Sequence, residues 1–169
     1  MVIANSISPS EEKIQKRGEI IMLKIYLDIC CYNRPFDDQS QMKIRLETEA
    51  KLYIQAAVKD NKYLLVWSYM LDFENSNSPY EDRQNSVALW ENIAHENCPS
   101  SVEVLLLGKE IMKFGIKEMD SLHIACAVIN GCDYFITTDK KLLNKSIAEI
   151  KIISPVNFIL ETEENPDEN

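Results

Sequence analysis

Short apolar runs of strand length alternate along this chain with longer stretches of helical periodicity, and that alternation restricts the fold more than any other feature. Lys24 to Asp28 is a brief run rich in Ile, Tyr and Leu, the pattern of a strand buried on both faces. Tyr63-Leu64-Leu65-Val66-Trp67 repeats that pattern, Asp133-Tyr134-Phe135-Ile136-Thr137 supplies a third instance, and Lys151-Ile152-Ile153 a last one. Cys98-Pro99-Ser100 is read as one further, very short strand. Between them, residues 39–60 are predicted helical, with Met42, Leu46, Ala50, Tyr53, Ile54 and Ala57 recurring on one face. Shorter helices are expected near 68–74, 81–94, 117–130 and 140–145. In the 81–94 segment Val87, Trp90 and Ile93 are expected to face inward. Another helix, capped by Ser100 or Ser101, should run to about Phe114. Gly115 and Gly131 are placed to stop two of these helices, and Asn33 to Asp38 reads as a break in regular structure. Strands that alternate with helices imply right-handed crossovers and a mostly parallel sheet covered on both faces. The expected fold is therefore three-layered α/β.

The chain has 169 residues, enough for one domain with a substantial core, and 46% of them are hydrophobic. Residues 22–160 are read as that domain. Residues 1–21 are polar and lack core periodicity, so Met22 is expected to be the biological start or residues 1–21 a loosely held extension. Glu161 to Asn169 is read as an acidic tail. There is no apolar run long enough to cross a bilayer and no signal-peptide pattern, so a cytoplasmic location is expected, with no membrane partner. The five cysteines form no CxxC pair, which excludes a disulfide framework or a zinc site and leaves reduced, core-filling thiols.

Net charge is −9, an awkward balance for a protein that binds a polyanion. Five acids of the tail account for part of it, leaving roughly −4 elsewhere. Carboxylates that hold divalent cations would account for the rest, because a bound cation restores local positive charge.

In parallel sheets, ligands bind beyond the carboxyl ends of the strands, so the acids at those ends are informative. Asp28 closes the first strand, Asp139 follows the strand ending at Thr137, and Asp120 lies in the first turn of the apolar helix 117–130. Glu74 follows the second strand, with Asp72 close enough to compete for the same role. Each has an ordinary reading as a helix cap, turn or solvated residue. Together, on one sheet edge, they favour a hard-cation site, and an oxygen-only donor set selects Mg²⁺ or Mn²⁺ over zinc. Arg34 is a candidate phosphate contact or a partner of Asp37 or Asp38. Lys140 and Lys141 are candidates for steering a polyanion. His123 is read as a structural histidine, or as an acid or phosphate contact, and His95 as a surface residue.

These segments resemble those of PIN-domain proteins. LDICCYNRPFDDQ, with Asp28 closing a strand, is similar to the family's opening motif. GIKEMDSLHIACAVINGCDYFITTDKKLL resembles its second signature, an Asp that begins an Ala-rich helix and then a Thr-x-Asp after a strand. The resemblance runs from about residue 22 to 160. It implies a metal-dependent endoribonuclease that leaves a 5′-phosphate and a 3′-hydroxyl, and for many bacterial members a toxin held by an antitoxin protein. It further implies Asp28, Asp120 and Asp139 as metal ligands and catalytic acids, Thr137 as support for Asp139 at the substrate side, and Glu74 as the fourth acid, through the similarity of SYMLDFE. Expected partners are thus RNA, an antitoxin and a second copy of the chain as a homodimer. Cys30 stands where many relatives carry a small hydroxyl or amide residue. The rival reading is a PIN-fold binding or assembly module with little or no catalysis. A phosphorylated receiver domain fits the fold class but not the placement of the acids.

Overall fold

The computed structural model describes residues 22–163; the expected extension at 1–21 and the end of the tail lie outside the described residues. Five parallel strands form the sheet: β1 (Lys24–Leu27), β2 (Leu64–Ser68), β3 (Glu96–Cys98), β4 (Tyr134–Ile136) and β5 (Lys151–Ile153). Their spatial order is β3-β2-β1-β4-β5. Ile25 registers with Leu65 on one side and Tyr134 on the other, so β1 is the central strand. Ile25, Tyr26 and Leu27 are all fully buried, which is why no polar/apolar alternation is visible in this strand.

The helices are α1 (Ile29–Asn33), α2 (Met42–Lys59), α3 (Tyr69–Ser76), α4 (Glu81–Ile93), α5 (Val102–Met112), α6 (Glu118–Ile129), α7 (Lys140–Leu143) and α8 (Pro155–Glu163). They cover both faces of the sheet, α2 packing with α8 and α5 with α6, and the fold is three-layered α/β. The chain winds outward from β1 to β3, then returns to place β4 beside β1. The gap between β1 and β4 is therefore the point where winding reverses, the position at which open parallel sheets form a crevice. Asp28 and Asp139 flank it. Gly115 and Gly131 end their helices in the left-handed region, at φ 75° and 68°, which glycine adopts without the Cβ clash that other residues meet.

Several expectations need correction. Asn33 to Asp38 is not simply a break: α1 starts directly after Asp28, and a 3-10 turn over Arg34–Phe36 follows. Pro35 is tolerated there because the first helical N–H groups have no intrahelical acceptor anyway. The third strand lies two residues earlier than expected, since Pro99 cannot supply a ladder N–H. On α2 the inward face keeps only half of the expected stripe. Met42, Leu46 and Tyr53 are 60%, 52% and 46% exposed, whereas Glu47 and Lys51 are buried beside Ala50, Ile54, Ala57 and Val58. Tertiary partners explain the rotation: Arg34 pairs with Glu47 at 2.6 Å, and the Lys51 ammonium lies 5.9 Å from the centre of the Tyr32 ring. Burial pulls the Lys51 pKa down to about 8. Glu161 to Glu163 belong to α8 and not to a free tail. Phe158 anchors that helix between the rings of Tyr63 and Tyr134, and Lys151 pairs with Glu161.

Candidate active site

Asp28 and Asp139 are tied together through one hydroxyl. Asp28 is 5% exposed. Its Oδ1 accepts the Ile29 N–H at 2.8 Å, capping α1, and its Oδ2 accepts the Thr137 hydroxyl at 2.7 Å. The same Thr137 oxygen accepts the Asp139 N–H at 3.1 Å. Thr137 thus fixes the turn after β4 against the end of β1. The Cys30 thiol donates to Asp28 Oδ2 at 3.3 Å and accepts the Thr138 N–H at 3.4 Å, so position 30 keeps a polar role in this chain. Asp139 caps α7 by accepting the Lys141 N–H at 2.7 Å, and its other oxygen is free of that duty. The ordinary and functional readings of Asp28 and Asp139 are therefore compatible, because in each the cap occupies only one carboxylate oxygen.

Asp120 occupies the first turn of α6 and is partly buried. Burial raises its pKa, and the carboxylates of Asp28 and Asp139 raise it further; His123 pulls it down, and Glu74 adds a smaller upward push. Four acids from β1, α3, α6 and the β4–α7 turn thus share one electrostatic neighbourhood. Asp72 is directed elsewhere, accepting the Trp67 indole N–H at 2.8 Å, while Glu74 Oε2 lies 3.5 Å from His123 Nε2.

No model of a known protein family matches the sequence, and no curated protein matches it. Among solved structures, the crystal structure of VapBC2 from Rickettsia felis bound to a DNA fragment from their promoter contains a similar chain, with a TM-score of 0.50. Identity is 13%, and the alignment covers 77% of this chain and 97% of that one. The architecture is PIN-like. At such low identity the similarity extends to the fold and not to activity or partners.

Within this PIN-like frame, a buried hydrogen-bond chain runs from Ser68 through Tyr26 to His123, whose far nitrogen lies near Glu74. Tyr26 OH lies 2.6 Å from Ser68 Oγ and 2.6 Å from His123 Nδ1, and Ser68 Oγ accepts the Leu71 N–H that it caps. Tyr26, Ser68 and His123 are at most 1% exposed. Burial raises the Tyr26 pKa well above its usual value, so the phenol keeps its single hydrogen. A carboxylate beside Nε2 favours a hydrogen on that nitrogen, which leaves Nδ1 as acceptor. The direction then follows: Ser68 donates to Tyr26 and Tyr26 to His123 Nδ1, while His123 Nε2 lies 3.5 Å from Glu74 Oε2 without a hydrogen-bond partner among the described residues. Neither Tyr26 nor Ser68 was legible as part of a site, since a tyrosine in mid-strand and a serine before a helix look structural. Tyr26→Phe should destabilise the protein by about 1–2 kcal/mol, the usual cost of leaving buried polar partners unsatisfied. Urea unfolding will measure it, and an unchanged midpoint would show that the chain of bonds contributes nothing.

The remaining candidates fall in different places. Arg34 is held by Asp37 at 2.9 Å and by Glu47, so its guanidinium is committed to internal ion pairs, not directed at the rim. Thr137 is fully buried, its hydroxyl spent on Asp28, so it supports the acids and does not reach a substrate directly. Lys140 is exposed on α7 next to Asp139. His95 is exposed. Among the described residues, no helix is long and apolar enough to cross a membrane.

The donor chemistry suits a hard divalent cation. Asp28, Asp120 and Asp139 have no Lys or Arg ion pair among the described residues, and like-charge repulsion is felt at Asp120. Uncompensated carboxylates in a half-buried site favour an oxygen-binding cation. Side-chain positions stop short of a finished cage: no group of three His, Cys, Asp or Glu among the described residues is arranged to hold a metal ion.

Proposed function

We propose that this chain is a Mg²⁺- or Mn²⁺-dependent endoribonuclease acting as the toxin of a toxin–antitoxin pair. The observation behind the reading is that Asp28, Asp139 and Glu74 all act on Asp120 at the switch point of a PIN-like sheet, raising its pKa, and that no Lys or Arg pairs with any of the four among the described residues. Asp28, Asp120 and Asp139 would hold the cation, and Glu74 would hold a second one or orient the attacking water. When bound, the cation supplies charge for the phosphoryl oxygens and acidifies water at neutral pH. Thr137 and Cys30 hold the Asp28 carboxylate in place, and His123 Nε2 lies 3.5 Å from Glu74. No side-chain nucleophile is required.

An antitoxin, a homodimer and a cytoplasmic location belong to the same reading. Support for the antitoxin comes from the VapBC2 neighbour. The competing reading, a PIN-fold binding module, draws on the net charge of −9 and the open arrangement of the acids.

Incubation of the full chain with labelled RNA in Mn²⁺, Mg²⁺ or EDTA tests the proposal. Cleavage in either metal and none in EDTA is expected; no cleavage under any condition favours the module. Binding should also appear as stability. A cation at about tenfold its Kd raises unfolding free energy by about 1.4 kcal/mol. Melting curves of the wild type should rise accordingly, while those of an Asp28→Asn/Asp120→Asn double variant should not. An equal shift in both would mean that the ions act nonspecifically.

A further inference from the structure

Beside the acids lies a cleft of about 490 Å³. Ile29, Asn33, Glu74, Asn77, Tyr80 and Arg83 are among the residues lining it, so Glu74 belongs both to the acidic rim and to this cleft. Arg83, on the first turn of α4, is the feature that sets it apart. Its guanidinium carbon lies 4.2 Å from the centre of the Tyr80 ring and 5.2 Å from that of Phe36. Among the described residues Arg83 makes no ion pair or hydrogen bond, although the chain carries a large excess of acids. Arg34, in contrast, is consumed by Asp37 and Glu47. A guanidinium resting its face on aromatic rings keeps its N–H edges available, and those edges match the oxygens of a phosphate. Tyr80 and Phe36 are 55% and 37% exposed, leaving ring surface on which a base can stack.

We propose that this cleft is a subsite for single-stranded RNA, Arg83 binding a backbone phosphate and Tyr80 and Phe36 stacking a base of the strand that enters the acidic rim. The proposal rests on the reading of that rim as the cleavage site. A single-stranded ligand follows from the chemistry, because an exposed aromatic beside a cation addresses the face of an unpaired base, which a duplex hides. The cleft also accounts for how an acidic protein takes hold of a polyanion. One pre-oriented guanidinium is placed next to the site, in place of a long basic stripe.

A fluorescein-labelled single strand of about ten nucleotides, titrated with the full chain in EDTA, reads the cleft without the reaction. Arg83→Ala should weaken binding roughly tenfold, and Tyr80→Ala to a similar degree. Loss of one phosphate contact should also flatten the dependence of log Kd on log salt by about 0.7. Arg83→Lys, which keeps the charge but not the planar face, should recover only part of the loss. Unchanged affinity in Arg83→Ala, no binding by the wild type, or equally tight binding of the corresponding duplex would each overturn the subsite. Cleavage of the same RNA in Mn²⁺ separates the two ideas. Wild-type cleavage with Arg83-independent binding defeats the cleft alone. Arg83-dependent binding without cleavage in either metal defeats the nuclease reading alone.

Discussion

Asp28→Asn is expected to reduce metal-dependent RNA cleavage by about three orders of magnitude while leaving the fold intact. The loss corresponds to about 4 kcal/mol of transition-state stabilisation, the several-kcal/mol scale attributed to a bound catalytic cation. The fold should survive because the asparagine carbonyl can still accept the Ile29 N–H that starts α1. Only the second oxygen is exchanged for an amide, and the Thr137 hydroxyl and Cys30 thiol facing it can turn from donors to acceptors. The measurement is initial cleavage rate at saturating Mn²⁺, with unfolding midpoints compared in EDTA. If the variant retains cleavage within a few-fold of wild type, Asp28 is only the cap of α1, and the acidic rim is not the working site.

Asp120→Asn should have two effects of opposite sense. Cleavage should fall about as far as in Asp28→Asn, yet the metal-free protein should gain about 1 kcal/mol, the usual gain from relaxing a strained functional site. The loss follows from the proposed role of Asp120 as a cation ligand, and the gain from its raised pKa, which burial and the carboxylates of Asp28 and Asp139 produce. A folded chain that holds the proton more tightly than the unfolded chain loses stability as pH rises from the ordinary aspartate value to the raised one. Above that interval the penalty is complete, and below it the carboxyl is neutral in both states. The gain from asparagine should therefore be full at neutral pH and vanish in acid. Were Asp120 merely an acid at a helix N-terminus, its replacement would cost a few tenths of a kcal/mol through the lost dipole interaction. Urea unfolding in EDTA at neutral and acid pH distinguishes the two signs, and destabilisation with undiminished cleavage would remove Asp120 from the site.

Residue type and order were enough to locate four strands and six of the helices, and to place the third strand within two residues. An apolar run of four or five residues bounded by turn formers is strand-like whatever surrounds it, and glycines such as Gly115 and Gly131 stop helices for local reasons. Local reasons also placed Asp28 and Asp139 at strand ends and Asp120 in a first helical turn. Their nearness follows from the parallel topology, which brings the carboxyl ends of β1 and β4 side by side.

What depended on partners distant in sequence could not be read this way. On α2 the buried face keeps Ala50, Ile54 and Ala57 of the expected stripe but turns to include Glu47 and Lys51, because Arg34 and Tyr32 offer those two somewhere to go. Asp72 and Glu74 are two residues apart and chemically alike; the Trp67 indole takes one and His123 faces the other. Tyr26 and Ser68, separated by 42 positions, meet through adjacent strands. Arg83 is set apart from the other charges of α4 only by Tyr80 and Phe36, which the fold brings close to its guanidinium. Local sequence thus determined which residues start, stop and bury an element, because those choices are made within a few bonds. Tertiary structure alone decided which polar groups pair, because a carboxylate or guanidinium takes whichever partner the folded chain brings within about 4 Å of it.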